Sequence, residues 1–376
     1  MPLDPHSPLP LYRQLADLLR SRVLAGALKP GDRLEPHSDL AARYAVSLIT
    51  VKRSLAELIR EGLLYSRPGK GTFVAATRPS PAKVQGRTIG LVLSDLKSPF
   101  FSMVLHSIEE HAFRHGLSLL LSNSAVQQER EESQIRHFRS IGAGGLIIAS
   151  MTHEYRATAT IRELHSTGYP YVMVSYLSDP EIPFVGTDHV QGGYRAALHL
   201  LSLGYTAIGY INGETGNQVG DLRREGFFRA LREHGCRCPP EWEFRLRRRG
   251  EWFDEDSGFE IGRHFVQLPI RPRAVFAYND LAALGFERAV LEAGLDIPGD
   301  VALIGFDGIE RGAYAPVPLT TVRQPVEEIG ATAVNVLVQR MGGGAPPIRS
   351  IVPAALVVRR SCGAAAGSDP VRTEQE

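Results

Sequence analysis

Apolar residues in the first 75 positions recur with the period of a helix, whereas those after residue 88 form short continuous runs. The helical spacing predicts three amphipathic helices, whose apolar faces are formed by Leu11, Leu15, Leu19 and Val23, by Leu40, Ala41 and Tyr44, and by Val51, Leu55, Leu58 and Ile59. Ser47 is predicted to cap the third helix. The segment LLYSRPGKGTFVA then predicts two short strands around a turn rich in Pro and Gly.

The predicted third helix has polar residues on its other face, and the turn that follows is basic. Thr50, Lys52, Arg53 and Ser54 are expected to be exposed, as in a helix that enters a DNA major groove. Cations on a neighbouring loop suit phosphate or minor-groove contact, although a hairpin with a solvated tip is the alternative. The candidate DNA-binding residues are Ser38, Ser47, Thr50, Lys52, Arg53, Arg67 and Lys70.

Residues 8–75, with PLYRQLADLLRSRVLAGALKPGDRL and EGLLYSRPGKGTFVA, resemble the winged-helix domain of GntR-type transcriptional regulators. The resemblance implies that residues 1–75 form a small α+β winged helix-turn-helix domain that binds double-stranded operator DNA. Two positions depart from the family, which usually has Arg where this chain has Ser38 and Leu48. The family's operator sequence therefore does not carry over.

The apolar runs after residue 88 alternate with amphipathic helical segments, which predicts parallel strands in a doubly wound α/β architecture. The series breaks near Val185 and again after Pro318, which predicts two lobes. We expect a linker at 76–87, lobe 1 at about 88–186 and 324–350, lobe 2 at about 187–323, an effector and dimerisation domain ending near 360, and a disordered tail at 361–376.

Polar residues stand at the carboxyl ends of most predicted strands, where open α/β sheets bind ligands. They are Asp95, Asn123, Ser150, Tyr176, Asp188, Asn212, Asn279, Asp280 and Asp307. Together with Phe100 and Phe101 they are typical of a sugar site, because hydroxyls need bidentate partners and a sugar ring needs an apolar face. The alternative role for each Asp or Asn is to cap a helix.

Roughly residues 88–360 resemble the periplasmic-binding-protein-like effector domain of LacI/GalR-type repressors, through motifs such as VGTDHVQGGYRAALHLLSLGY, AYNDLAALG, IGFDG and PLTTVRQP. The resemblance implies that Phe100 and Phe101 pack on the ligand, that Arg223, Asn279 and Asp307 bond to it, and that Gln324 lies at the hinge. The candidate effector-binding residues are Asp95, Phe100, Phe101, Ser150, Tyr176, Arg223, Asn279, Asp307 and Gln324. The combined architecture resembles the arabinose-repressor subfamily and implies a homodimeric repressor, whose bodies are expected to pair through segments such as residues 103–115 with Leu105, Ile108 and Ala112. We expect the effector to release the repressor from DNA, and an effector that promotes DNA binding is the open alternative.

The favoured effector is a sugar, and a purine or nucleoside is the open alternative. Other classes of function lack their motifs: Gly71 follows Gly69-Lys70 where a P-loop needs Ser or Thr, so neither an enzyme nor a cofactor is expected. The three cysteines lack the spacing of a zinc site. His111 and His115 have the i, i+4 spacing of metal ligands, but the glutamate that accompanies such a pair in zinc proteases is missing between them, so no metal is expected.

The charges of the chain are divided between its two parts. Residues 1–76 hold 11 Lys and Arg against 7 Asp and Glu, whereas the rest hold 31 against 34. A cationic first part suits a DNA-binding domain. The chain has neither a signal-peptide pattern nor an apolar run of membrane-spanning length, so we expect a cytoplasmic protein without a membrane partner.

Overall fold

The structure is a computed structural model that describes residues 10–24, 27–29, 31–60, 63–67, 71–75, 87–149, 156–174, 178–246 and 254–364. The chain divides into two compact units, residues 1–84 and residues 85–376, which we call the head and the body. Most of the predicted linker, residues 76–86, lies outside the described residues.

The head has the predicted order of three helices followed by an antiparallel hairpin. Its elements are α1 (Leu11–Leu24), α2 (His37–Arg43), α3 (Leu48–Arg60), β1 (Leu64–Arg67) and β2 (Gly71–Val74). Leu15, Leu19, Leu40, Val51 and Leu58 are buried together in one core beneath the three helices. The apolar spacing of the sequence therefore builds a winged helix-turn-helix.

The turn between α2 and α3 is tight, and its geometry fixes where α3 begins. Ala45 has a positive φ of 52°, a conformation that few residues other than Gly adopt. The Ser47 hydroxyl oxygen accepts a hydrogen bond from the backbone N–H of Thr50 at 3.1 Å, which confirms the predicted cap.

Two predictions about the faces of α3 are wrong. Ser54, expected on the polar face, is fully buried, and its hydroxyl bonds to the carbonyl oxygens of Tyr12 at 2.7 Å and Thr50 at 2.8 Å. Ile59, expected on the buried face, is 37% exposed. A hydroxyl can be buried at this position because α1 supplies a nearby acceptor.

The body consists of two lobes, each with a mainly parallel sheet flanked by helices, as the sequence predicts. Among the described residues, lobe 1 contains the sheet order β13-β7-β6-β5-β3-β4, all parallel. Its strands and helices are β3 (Thr88–Leu93), α4 (Pro99–Arg114), β4 (Ser118–Asn123), α5 (Gln128–Ser140), β5 (Gly145–Ala149), α6 (Ala159–Ser166), β6 (Tyr171–Val174), β7 (Phe184–Thr187), α11 (Val326–Met341) and β13 (Arg349–Val352).

Lobe 2 contains the order β14-β12-β11-β10-β8-β9 in the described ranges, and β14 is antiparallel to β12. Its elements are α7 (His189–Ser202), β8 (Ile208–Asn212), α8 (Gln218–Glu233), a 3-10 turn (Pro240–Trp242), β9 (Glu243–Arg245), α9 (Asp254–Val266), β10 (Ala274–Ala277), α10 (Asp280–Glu292), β11 (Ala302–Asp307), a 3-10 turn (Glu310–Ala313), β12 (Thr320–Arg323) and β14 (Ala355–Val357).

Within the described part of the body, the chain passes between the lobes at three places. These follow β7, β12 and β13, and the first two lie where the sequence pattern breaks, near Val185 and after Pro318. The backbone N–H of Asp188 in the first passage donates to the Val352 oxygen at the third, at 3.1 Å. The first and third passages therefore lie side by side at the hinge of the body.

Two predictions about the body are wrong, one about the dimer contact and one about the C-terminal tail, because the residues concerned are buried in the core. Ile108 and Ala112, expected in a dimer contact, are fully buried in the core that α4 shares with α11. Ser361 and Cys362, predicted to begin a disordered tail, are fully buried, and the Ser361 hydroxyl donates to the Leu303 oxygen at 2.6 Å. Residues 365–376 lie outside the described residues.

Helices α7 and α8 cross in close backbone contact through two glycines. A Cβ at Gly193 would lie 2.0 Å from the backbone oxygen of Arg223, and one at Gly226 would lie 1.9 Å from that of Val190. Side chains at these positions would push the two helices apart, so the glycines set the position of Arg223.

We predict that Gly226→Ala destabilises the body by about 1–3 kcal/mol or more, because the new methyl group meets rigid backbone. Thermal and urea unfolding of the full chain measure this loss. Gly342→Ala is the matched control, since its Cβ would find its nearest neighbour at an ordinary 3.5 Å. Equal stability of the two variants would contradict the argument.

Candidate functional site

A cavity of about 610 Å³ lies between the lobes of the body, beyond the carboxyl ends of the strands. Seven of the predicted effector-binding residues line it: Asp95, Phe100, Phe101, Arg223, Asn279, Asp307 and Gln324. Two others, Ser150 and Tyr176, lie outside the described residues. The cavity is also lined by residues that were not predicted from the sequence, including Gln127, His189, Asn217, Asp254 and Tyr278.

The wall from lobe 1 is largely aromatic. Phe100 and Phe101 lie in the first turn of α4, with ring centroids 5.3 Å apart in an edge arrangement. Phe101 is 5% exposed and belongs to the core, whereas Phe100 is half-buried at the cavity. The Asp95 carboxylate beside them accepts from the backbone N–H of Lys97 at 2.9 Å. This wall offers an apolar surface with a carboxylate at its edge.

Arg223 is the central cation of the opposite wall. Its Nε donates to His189 Nδ1 at 3.3 Å. One terminal nitrogen donates to the backbone carbonyl oxygen of Tyr278, and the other donates to Asp307 Oδ1 at 3.3 Å. The guanidinium carbon lies 3.7 Å from the ring centroid of Phe306. Arg223 is therefore a fixed group that is 3% exposed, and it does not belong to a surface ion pair.

His189 lines the cavity but was not predicted from the sequence, because it comes one position after Asp188, the polar residue at the end of the preceding strand. Because its Nδ1 accepts from Arg223, its ring proton must be on Nε2 when the ring is neutral. Burial, together with the nearby Arg223 charge, holds the pKa of His189 well below its usual value, so the ring is neutral at pH 7.

Asp307 lies at the end of β11 and connects Arg223 to the hinge. Its Oδ1 also accepts from Gln324 Nε2 at 2.7 Å, and Gln324 Oε1 accepts from the Thr187 hydroxyl of lobe 1 at 2.7 Å. Burial raises the pKa of Asp307 to about 6, although Arg223 and Gln324 act in the opposite direction. The three residues Thr187, Gln324 and Asp307 thus link the lobes, and we call them the hinge relay.

Asp280 lies behind the cavity and supports the turn that carries Asp307. Its Oδ2 accepts from the backbone N–H groups of Gly308 and Ile309, both at 2.8 Å, and its Oδ1 accepts from the Thr321 hydroxyl at 2.6 Å. Burial, reinforced by the Asp307 carboxylate, raises the pKa of Asp280 to about 8. Asp280 is therefore a positioning residue.

Asn279 lines the cavity and also has the alternative role of a helix cap. Its Oδ1 accepts from the Ala282 N–H at 2.9 Å and caps α10, while its Nδ2 donates to Asp254 Oδ2 at 2.5 Å. The Tyr278 hydroxyl donates to the same Asp254 oxygen. Asp254 begins α9 and does not directly follow a described strand, so it could not be predicted as a polar residue at a strand end.

Other polar strand-end residues divide between the two roles. Asn123 lines the cavity. Asp188 accepts from the Gln191 N–H at 2.9 Å and caps α7, and Asn212 is buried, donating to Asp221 at 2.9 Å. The capping or structural role is therefore the better account of Asp188 and Asn212.

The head carries its own candidate residues, of which Lys70 lies outside the described residues. Lys52, Arg53 and Arg67 are exposed, and the Arg53 guanidinium lies 3.9 Å from the ring centroid of Tyr12. The hydroxyls of Ser47 and Thr50 bond to each other at 2.8 Å, and the Ser38 hydroxyl donates to Asp39 at 2.9 Å. The cations are thus presented on the outer surface, while the hydroxyls have local partners.

No helix in the described ranges is both long and apolar enough to cross a membrane.

Comparisons with known proteins match both units. Residues 11–74 match the bacterial regulatory proteins of the gntR family, and residues 197–362 match a periplasmic binding protein-like domain. The arabinose metabolism transcriptional repressor of Geobacillus stearothermophilus is 31% identical over 341 residues, which cover 88% of this chain and 91% of that protein.

Two solved structures share the fold of the body. A LacI family transcriptional regulator from Enterococcus faecium with bound ribose has a TM-score of 0.63 and 30% identity, covering 73% of this chain and 98% of that chain. The lac repressor dimer bound to operator and the anti-inducer ONPF has a TM-score of 0.66 and 26% identity, covering 75% of this chain and 96% of that chain.

The buried Asp280 carboxyl gives the body a predictable dependence on pH. Because its pKa in the folded protein is near 8, above the unfolded value of about 4, the folded state keeps a proton that the unfolded state releases between these pH values. Stability therefore falls as pH rises through this window, by up to about 1.4 kcal/mol per pH unit.

Asp280→Asn should remove this component, because the amide can accept from Gly308 and Ile309 and donate to Thr321 without titrating. Between about pH 6 and pH 8 its urea midpoint should fall less than that of the parent. Asp307, whose pKa is near 6, contributes in the same direction at lower pH in both proteins. Parallel pH profiles would show that Asp280 is not the titrating group.

Proposed function

This chain belongs to the family of bacterial transcriptional repressors that join a GntR-type DNA-binding head to a LacI-type, periplasmic-binding-protein-like body, and we propose that a sugar held between the lobes controls its binding to operator DNA. Its relatives are repressors rather than enzymes. The proposal assigns the cavity to the effector and the exposed face of α3 to DNA.

The convergence of carboxylates and aromatic rings on one cavity carries the sugar proposal. Asp95 from lobe 1 and Asp254 and Asp307 from lobe 2 supply acceptors for hydroxyl groups, and Asn279 adds an amide. Phe100 supplies the apolar surface that a sugar ring needs. The cavity volume of about 610 Å³ is suited to a small ligand.

A purine or nucleoside is the second candidate effector, because a flat base can stack on Phe100 and bond to Arg223. The carboxylates favour the sugar, since several hydroxyl donors satisfy them more completely than one base edge does. The names of two relatives agree with this choice: one regulates arabinose metabolism and another was solved with bound ribose.

We propose that the effector releases the repressor from DNA by closing the lobes. A ligand between the lobes favours whichever arrangement gives it contacts on both sides, and it can shift the equilibrium only by that difference in affinity. Asp307 would bond to the ligand while belonging to the hinge relay, so ligand binding and lobe arrangement share a residue. Coupling of this kind is typically about 1–3 kcal/mol, or roughly 5- to 150-fold in operator affinity.

A thermal-shift screen of pentoses, hexoses, sugar phosphates and nucleobases should identify a sugar that stabilises the full chain. Asp307→Asn should weaken that sugar by about 10- to 150-fold, the equivalent of one lost hydrogen bond to a charged group. Asn also tolerates the positive φ of 115° at this position. Asp300→Asn, on an exposed loop of the same lobe, is the matched control.

Operator titrations with and without the identified ligand complete this test. The parent should bind DNA more weakly with ligand, whereas Asp307→Asn should bind DNA normally and lose the response at the same ligand concentration. Stabilisation by nucleobases alone would replace the sugar by a base, and tighter DNA binding with ligand would reverse the proposed sign.

We also propose that the repressor is a homodimer whose contact includes the open edge of lobe 1. Strand β4 is an edge strand of its sheet with Leu121 42% exposed, and Phe113 near the end of the preceding helix is 76% exposed. Edge strands with apolar side chains are usually covered in folded assemblies. A dimer also matches the two-fold symmetry of most operators, and the similar lac repressor was solved as a dimer.

Sedimentation of the full chain at tens of micromolar should give twice the mass of 41.2 kDa. Phe113→Glu and Leu121→Glu should shift the equilibrium towards monomer, because each places a charge in the contact. Ile270→Glu, at a comparably exposed position on lobe 2, should leave the mass unchanged. A parent that sediments as a monomer would contradict the proposal.

A further inference from the structure

The first turn of α3 exposes two large apolar side chains. Leu48 is 50% exposed and Ile49 is 78% exposed. In the described part of the head, the other exposed large apolar side chain is that of Ile59, which is 37% exposed and lies near the other end of the same helix. Two such neighbours at one helix start form a small apolar patch, which we call the Leu48–Ile49 patch.

Ile49 lies at the centre of the outward face of α3. Lys52, Arg53 and Ala56 follow it at helical spacings of three, four and seven residues, and all are exposed. The opposite face is buried and consists of Val51, Ser54, Leu55 and Leu58. The patch is therefore flanked by two cations on the side of the helix that points away from the head's core.

The polar side chains of this turn are already engaged. Ser47 and Thr50 bond to each other at 2.8 Å, and the Ser47 oxygen also caps the helix. Leu48 and Ile49 are therefore the first-turn side chains that can extend towards a partner. The flanking charges of Lys52 and Arg53 are complementary to a polyanion rather than to an apolar protein surface.

DNA presents one apolar group at a base edge in its major groove, the C5-methyl group of thymine. We propose that the Leu48–Ile49 patch reads thymine methyl groups in the operator, with Lys52 and Arg53 on the adjacent phosphates. This inference rests on the proposed DNA-binding function of the head and specifies how its recognition helix selects sequence.

The test begins with selection of bound duplexes from a random library by the full-length protein. Each thymine of the selected site is then replaced by deoxyuridine, which removes the methyl group and keeps the hydrogen-bonding pattern. At one or two positions in each half-site, the replacement should weaken binding about fourfold, the factor equivalent to about 0.8 kcal/mol for one buried methyl group. The replacement should have little effect elsewhere in the site.

Protein variants connect this effect to the patch. Ile49→Ala or Leu48→Ala should bind the thymine and uracil duplexes with nearly equal affinity, because the methyl group has lost its partner. Ile59→Ala, the matched control on the same helix, should keep the parent's thymine preference. Lys52→Ala should weaken both duplexes by the same factor and reduce the salt slope by about one unit.

The outcomes separate this inference from the function on which it rests. Salt-dependent DNA binding with no uracil effect at any thymine would overturn the inference alone, as would a uracil effect that persists when Leu48 and Ile49 are both alanine. If Ile49→Ala instead changes the sedimentation of DNA-free protein and leaves the thymine preference intact, the patch contacts protein and the inference is wrong. If the selection enriches no duplex, both the proposed DNA-binding function and this inference are wrong.

Discussion

The arrangement of the body depends on a buried carboxylate in an unusual backbone conformation. Asp307 has a φ of 115°, outside the region that side chains other than Gly prefer, and it is 8% exposed. A strained residue of this kind costs about 1–3 kcal/mol and persists only where its surroundings hold it. Here Asp280 holds the two following N–H groups, while Arg223 and Gln324 bond to the Asp307 carboxylate itself.

This constraint explains why the cavity and the hinge cannot be separated. Gln324 contacts Asp307 of lobe 2 and Thr187 of lobe 1 through opposite ends of one amide group. A ligand that hydrogen-bonds to the Asp307 carboxylate competes with the Gln324 side-chain amide for the same acceptor. If the buried Gln324 amide is left without a partner, the cost is about 1–3 kcal/mol. That cost is of the same size as the typical free energy of coupling between two sites. The hinge relay could therefore supply a coupling free energy of the size that the proposed response requires.

How far the sequence predicts this structure depends on the length of each pattern. The apolar runs after residue 88 become β3, β4, β5, β6, β8, β10 and β11, because a continuous apolar run is a strong signal for a strand of a parallel sheet. Strands β7, β9, β12, β13 and β14 stand in stretches where apolar residues are few or are interrupted by polar residues or by Pro, so they carry too little pattern to be predicted. In the site, strand ends identify Asp95, Asn279 and Asp307, whereas His189 and Asp254 lie on helices and are brought to the cavity by tertiary packing.

The head shows the same limit at the level of one helix, and there the limit bears on recognition. Helical period alone places Ser54 outside and Ile59 inside, but the Tyr12 oxygen gives the Ser54 hydroxyl a buried partner. The outward face consequently contains Ile49, Lys52 and Arg53 and lacks the hydroxyl that the sequence suggested. Cations that contact phosphates contribute affinity that depends little on base sequence. With Lys52 and Arg53 on phosphates, as proposed above, selectivity from this helix would rest on its apolar first turn together with the shape of the DNA.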